Sequence, residues 1–228
     1  MTRIGMLLFP NLTLLDLIGP QQVFASFPQA QIELVAASRD LVRADSAVQI
    51  LPTATYADAG TFDVVFVPGG YGVNEAMQDA ATIAFLSAQG QRARWVTSVC
   101  TGALVLGAAG LLRGYRATTH WRYLELLPSF GAHAADERVV LDRNRVTGGG
   151  VTAGIDFALV LAQELFGLDQ TRRVQLYLQY DPQPPLSGGS PQTAPAEIVE
   201  AVLAQRAEAF ERRRAIVQRL TEAAPPRA

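Results

Sequence analysis

Two apolar, β-branched runs limit the folds open to this chain more than any other feature. Phe62-Asp63-Val64-Val65-Phe66-Val67 stops at Pro68-Gly69-Gly70, and Arg94-Trp95-Val96-Thr97-Ser98-Val99 stops at Cys100. Neither alternates polar with apolar along its length. Both therefore read as strands buried on two faces, the pattern of a parallel sheet covered by helices. Residues 4–9 and 32–37 are strands of the same kind, and 48–51 is a third, less regular one. Helical text lies between them. Thr13 can cap a helix through Ile18 that Gly19-Pro20 interrupts and residues 21–27 continue. Further helices are expected at 74–91, at 101–109, and at 120–130 behind the cap Thr118-Thr119. Two short strands, 138–141 and 145–147, flank the turn Asp142-Arg143-Asn144, and helices 152–166 and 169–180 follow. Strand and helix alternating in this way give an α/β fold with a mostly parallel sheet and helices on both faces.

The length, 228 residues, suits one such domain with an appendage. The domain is placed at residues 1–180. From 181 to 195 the chain carries Pro182, Pro184, Pro185, Gly188, Gly189, Pro191 and Pro195, which reads as an extended arm. Helical spacing resumes at 196–223, with charge pairs such as Glu208 and Arg212. The segment 181–228 is thus expected to be an arm and a C-terminal helix, packed on the domain or on a dimer partner.

Composition removes several function classes. Hydrophobic residues make up 49% and the net charge is −2, so the chain is globular and has no electrostatic call for nucleic acid. Every basic residue is arginine, which excludes a Schiff-base lysine and the phosphate-loop lysine. A single cysteine excludes an intrachain disulfide, a CxxC pair and a multi-cysteine metal site, and no metal is expected. The apolar run at the N-terminus is cut off by Pro10, too short for a signal peptide, and no run approaches a membrane span. A cytoplasmic protein, not attached to a membrane, is the expectation.

That single cysteine, Cys100, stands where a strand turns into a helix, between the small residues Ser98 and Gly102. A tight strand-to-helix corner needs such neighbours, and a helix N-terminus favours a thiolate. In open α/β sheets the site lies beyond the carboxyl ends of the strands. Cys100, Gly69-Gly70 and Asp16 all fall at such ends. Asp16, set in Leu14-Leu15-Asp16-Leu17-Ile18, is a carboxyl among apolar side chains. Beside a thiol it would share one proton, and repulsion between the two anions would raise one of the two pKa values. Gly69 and Gly70 would turn their N–H groups into the crevice and, with that of Thr101, form an anion-stabilising nest. His120 could approach as a proton partner or substrate contact, or could cap or pack. His133, among Gly and Ala, reads as a solvated loop residue. Gly148-Gly149-Gly150 lacks the spacing of a nucleotide loop.

Taken together, Leu15-Asp16-Leu17-Ile18-Gly19-Pro20, Val67-Pro68-Gly69-Gly70, Ser98-Val99-Cys100-Thr101-Gly102-Ala103, Ala117-Thr118-Thr119-His120-Trp121 and Thr147-Gly148-Gly149-Gly150-Val151-Thr152-Ala153-Gly154-Ile155-Asp156 resemble the DJ-1/PfpI superfamily, over about residues 3–180 and in matching order. Asp at position 16, Thr101 after the cysteine, and the arm with Gly189-Ser190-Pro191 and Thr193-Ala194-Pro195 resemble its isocyanide hydratase branch. The resemblance implies a flavodoxin-like fold, a homodimer and a cofactor-free site. It implies Cys100 as nucleophile, Asp16 as the proton-transferring carboxylate, and Thr101 as an accessory hydrogen-bonding residue. The substrate would be a small organic isocyanide, hydrated to an N-substituted formamide through a covalent thioimidate. A glyoxalase- or deglycase-like activity on reactive carbonyls is the rival enzyme reading. A redox sensor or stress protein that oxidises Cys100 is the rival without catalysis. The peptidase- and deglycase-like branches carry His where this chain has Thr101, which counts against a Cys-His mechanism. Related sequences occur as ligand-sensing domains of regulators, but about 48 residues after Tyr180 are too few for a DNA-binding helix-turn-helix domain.

Overall fold

The structure, a computed structural model, describes residues 1–222. In chain order the elements are β1 (Thr2–Leu7), α1 (Leu14–Ala25), β2 (Ala30–Ala36), β3 (Val42–Arg43), β4 (Gln49–Ile50), β5 (Ala54–Thr55), β6 (Val64–Val67), α2 (Val73–Ala76), α3 (Ala80–Gly90), β7 (Trp95–Val99) and α4 (Gly102–Ala108). They continue with β8 (Arg116–Ala117), a 3₁₀ helix (Trp121–Phe130), β9 (His133–Ala134), β10 (Val139–Asp142), β11 (Arg145–Gly148), α5 (Ala153–Phe166), α6 (Leu168–Tyr177), α7 (Ala196–Gln205) and α8 (Ala207–Glu222).

Seven strands make one sheet in the order β10-β11-β7-β6-β1-β2-β5. All neighbours are parallel except β10 and β11, a hairpin turned by Arg143, which sits at φ 54°. Helices α1 and α5 pack together on one face, while α3 and α4 lie against the other. The expected α/β fold with helices on both faces is the one observed. The central strands β6 and β7 are buried at every position, as their unbroken apolar text requires. Phe157 of α5 anchors the core, edge-on to Phe24 at 6.5 Å and tilted on Phe66 at 5.5 Å.

Register places the site. Val67 pairs with Ser98, and Ser98 with Thr147. Strands β6, β7 and β11 therefore end at one level, and Pro68-Gly69-Gly70, Cys100 and Gly148-Gly149 are neighbours across the sheet.

Several local expectations change for physical reasons. Gly19-Pro20 does not interrupt α1, which runs through it. Pro20 is buried against α5, where a Cβ on Gly154 would meet its Cδ at 3.2 Å, so close packing compensates the missing hydrogen bond. Thr13 does not cap that helix with its own side chain. Its hydroxyl donates to Asp45 Oδ2 at 2.8 Å, and Asp45 Oδ1 accepts the N–H of Leu14 at 3.2 Å. Residues 74–91 are two helices, because Asp79 restarts the chain as the cap of α3, accepting from the N–H and hydroxyl of Thr82. The segment at 48–51 pairs with β3 instead of joining the main sheet. Residues 121–130 wind as 3₁₀, with Pro128 inside, capped by the His120 ring and not by Thr118 or Thr119. His133 is exposed as expected but lies in a strand pair with β8.

The appendage folds back on the domain. Residues 181–195 carry no strand or helix, and Gln192 is tied to Asp136 at 2.7 Å. The helical text after it breaks at Arg206 into α7 and α8; the end of the expected 196–223 helix lies outside the described residues. Arg212 bonds Glu75 of α2 at 3.2 Å in place of the expected Glu208. Helix α8 buries Phe210, Arg213, Ile216 and Val217. Phe210 stacks on Tyr123 of the 3₁₀ helix and lies under the Arg122 guanidinium at 3.5 Å.

Replacing the cap Asp79 by Ala removes the acceptor for both Thr82 donors. A loss of about 1 kcal/mol in denaturant-derived unfolding free energy is expected, with the fold intact.

Candidate active site

Cys100 directly follows β7, one residue before the N-cap Thr101 of α4, and has φ 55°, a left-handed conformation that costs a non-glycine residue on the order of 1–2 kcal/mol. Four residues hold it there. Its N–H donates to the carbonyls of Gly148 at 3.0 Å and Gly149 at 2.8 Å. Its carbonyl accepts the Thr119 hydroxyl at 2.8 Å. On its C-terminal side, Gly102 lies so close to β6 that a Cβ there would sit 2.2 Å from the carbonyl oxygen of Val67. The triple glycine after β11 thus serves the cysteine corner, and Thr119 serves it too, where the sequence suggested a helix cap.

Asp16 is fully buried in the first turn of α1. Its Oδ2 accepts the N–H of Gly69 at 2.9 Å. Its Oδ1 has no nitrogen or oxygen partner among the described residues. The carboxyl also acts on the Cys100 thiol, and the two groups shift each other. Burial is the largest influence on Asp16 and pushes its pKa up to about 7, against the opposing influences of Gly69 and Cys100. Burial also drives the Cys100 thiol well above its usual value, with the Asp16 charge next in size. The N–H of Thr101 works the other way without winning. A helix N-terminus by itself therefore does not make this thiol a thiolate. The two groups are coupled, and the first proton of the pair leaves near pH 7, with the second held well above it.

The glycine turn behaves differently from a free nest. The N–H of Gly69 is bonded to Asp16, and that of Gly70 to the Thr101 hydroxyl at 3.1 Å. These groups fix the acid and Thr101 in place, leaving neither to bind substrate directly. A Cβ on Gly69 would lie 2.7 Å from Asp16 Oδ2 and 2.8 Å from the Thr101 hydroxyl.

Cys100 and Thr101 open into a cavity of about 410 Å³. Asp16 does not line it and lies behind the cysteine. Tyr71, His120, Trp121, Tyr123, Val151 and Val202 are among its wall residues. His120 accepts the N–H of Arg122 through Nδ1 at 3.2 Å, so the neutral ring carries its proton on Nε2. Burial, followed by the charges of Arg213 and Arg122, lowers its pKa to about 4. His120 is thus a neutral polar wall residue at ordinary pH, with no bond to Cys100 or Asp16. The appendage forms one side of the cavity, through Val202, Arg206 and Arg213. Arg213 of α8 donates to Asn74 Oδ1 at 2.7 Å and to the Gly70 carbonyl at 3.1 Å, and Arg206 donates to the Tyr71 hydroxyl at 2.8 Å. Sequence reasoning missed Arg213, Asn74 and Tyr123. One signal was available: Arg213 falls on the same helical face as Phe210 and Val217, an arginine on an apolar stripe. A second cavity of about 350 Å³, lined by Phe9, Leu41 and Tyr56 among others, lies apart from the thiol.

A corner cysteine paired with a buried carboxyl, on a flavodoxin-like sheet, defines a thiol-based α/β site. Residues 2–164 match the DJ-1/PfpI family, and the chain belongs to it. Among characterised relatives, it is 51% identical to the isonitrile hydratase of Pseudomonas putida over 95% of both chains. A THiJ/PfpI family protein from Pseudomonas syringae superposes with a TM-score of 0.93 at 45% identity, over 95% of this chain and 90% of the other. A DJ-1 superfamily protein from Salmonella typhimurium superposes at 0.73 with 26% identity, covering 79% of this chain and all of its own. Among the described residues no helix is long and apolar enough to cross a membrane.

Gly69→Ala should displace Asp16 and Thr101 together. Turnover of a thiol-dependent reaction should fall by roughly a hundredfold, the scale of a misplaced catalytic group, while the circular dichroism spectrum stays unchanged.

Proposed function

We propose that the chain is an isocyanide hydratase, converting R–N≡C and water to the N-substituted formamide R–NH–CHO. The observation that carries this reading is the buried Cys100–Asp16 pair, whose thiol faces a cavity lined by Tyr71, Trp121 and Tyr123. The likeness to the Pseudomonas putida isonitrile hydratase over nearly the whole of both chains, appendage included, supports the substrate class. The working form is a homodimer in the cytoplasm.

In this reaction the pair passes its proton to Asp16 and the Cys100 thiolate attacks the terminal carbon of the isocyanide. A C–S bond forms, and that carbon takes the proton from Asp16. The product is the thioimidate R–N=CH–S–Cys100. Water then adds to the same carbon, and the Asp16 carboxylate takes its proton and delivers it to the imine nitrogen, returning to the carboxylate. Collapse of R–NH–CH(OH)–S–Cys100 passes the hydroxyl proton to the Asp16 carboxylate, breaks the C–S bond, releases the formamide and restores the singly protonated pair. The Thr101 hydroxyl, bonded to Gly70, supports the oxygen that develops on the captured carbon. Neutral His120 offers Nε2–H as a further donor on the cavity wall. No step needs a cofactor.

The pKa values give the sign of the pH dependence. Below about 7 the pair holds two protons, a neutral thiol and a neutral carboxyl, and has no nucleophile. Above it one proton remains, and the thiolate–carboxylic acid arrangement becomes available. The kcat/KM for an aryl isocyanide, followed by ultraviolet absorbance, should therefore rise with pH and level off above about 7. Cys100→Ala should abolish turnover. Asp16→Asn keeps the shape but cannot exchange the proton, so a loss of at least about a hundredfold is expected, together with loss of the acid limb. Turnover of methylglyoxal with no turnover of isocyanide would favour the carbonyl reading instead. Activity of Cys100→Ala within tenfold of the parent would rule out covalent catalysis.

A further inference from the structure

Arg213 is 4% exposed, yet no carboxylate lies within 4.0 Å of it among the described residues. Its hydrogen bonds go to the neutral oxygens of Asn74 and Gly70, and its guanidinium lies over the Tyr123 ring at 4.4 Å. A buried cation without an anionic partner is costly; the groups whose charge favours this one are Tyr123, the Cys100 thiol, Glu75 of α2 and Tyr71, in that order. Arg213 lines the same cavity as Cys100. It also lies beyond residues 2–164, the part of the chain that matches the family.

We propose that Arg213 is a positioning residue of the site: from the C-terminal helix it holds the Gly70 turn and brings a positive charge to the cavity onto which the Cys100 sulfur opens. The geometry supports two linked actions. The bond to the Gly70 carbonyl holds the turn whose N–H groups fix Asp16 and Thr101. The charge stabilises the singly protonated, anionic state of the pair, and its attraction on the Cys100 thiol is in the expected, lowering direction. Other groups face the pair as well. Asp45 acts against ionisation of Asp16, while Tyr71, Tyr123, neutral His120, Arg122 and Arg206 share the cavity walls. Arg206 is tied to Tyr71, and Arg122 is stacked on Phe210. That leaves Arg213 as the buried cation acting on the thiol.

This inference rests on Cys100 being the nucleophile but not on the identity of the substrate, and its test needs no isocyanide. Cys100, the only cysteine, is alkylated with iodoacetamide over a pH series, and the rate is read by intact mass for the parent, Arg213→Lys and Arg213→Met. Arg213→Met should move the midpoint of the alkylation profile up by about one pH unit, as expected for loss of one nearby charge. Arg213→Lys should stay close to the parent. If Arg213→Met does not fold, Arg213→Gln keeps a donor for Asn74 or Gly70 while removing the charge, and should show the same shift. A folded, uncharged variant with an unmoved or lowered midpoint overturns the proposal, as does a lysine variant that behaves like methionine. A shifted midpoint in a protein that hydrates no isocyanide would overturn the proposed reaction and leave the role of Arg213 standing.

Discussion

The left-handed backbone at Cys100 is the constraint on which the rest of the site depends. An L-residue at φ 55° is strained, and it stays there because both its amide and its carbonyl are held from outside its own strand. The carbonyls of Gly148 and Gly149 hold one side and the Thr119 hydroxyl the other. Gly102 can approach β6 because it lacks a Cβ. The parallel register of β6, β7 and β11 brings these groups to one level. The sheet thus stores local strain at one residue and presents its sulfur to a cavity, with a carboxyl behind it.

Burial then sets the chemistry. Both members of the pair are withdrawn from water, so neither ionises at its ordinary pKa, and the proton between them becomes the exchangeable one. Gly69 and Thr101 orient the pair from below. The appendage acts from above, bringing Val202, Arg206 and Arg213 to the cavity and a cation to within electrostatic reach of the thiol. The catalytic apparatus in this account is therefore split between the family-wide sheet and a C-terminal extension to it.

Much of this was legible in the sequence because it rests on local signals. The apolar runs ending at Pro68 and Cys100 identified the central strands. The small residues around Cys100 identified the corner, and the carboxyl among leucines identified Asp16. Other features lay in long-range contacts that periodicity does not encode. Asp45 took over the cap expected of Thr13, and Asp79 split a helix whose apolar pattern runs on past it. Thr119 looked like a cap but serves the Cys100 carbonyl. The N–H groups of Gly69 and Gly70 were expected to face the crevice and instead hold Asp16 and Thr101. The high thiol pKa could not be read from a helix N-terminus alone, since it follows from complete burial beside a second acid.

The most direct test of the account is the mass of the protein during turnover. Enzyme mixed with excess aryl isocyanide and quenched in acid from milliseconds into the steady state should gain the mass of one isocyanide, and peptide mapping should place it on Cys100. Formamide accumulating over those times with Cys100 unmodified throughout, or with the adduct on another residue, would contradict a thioimidate at the strained corner.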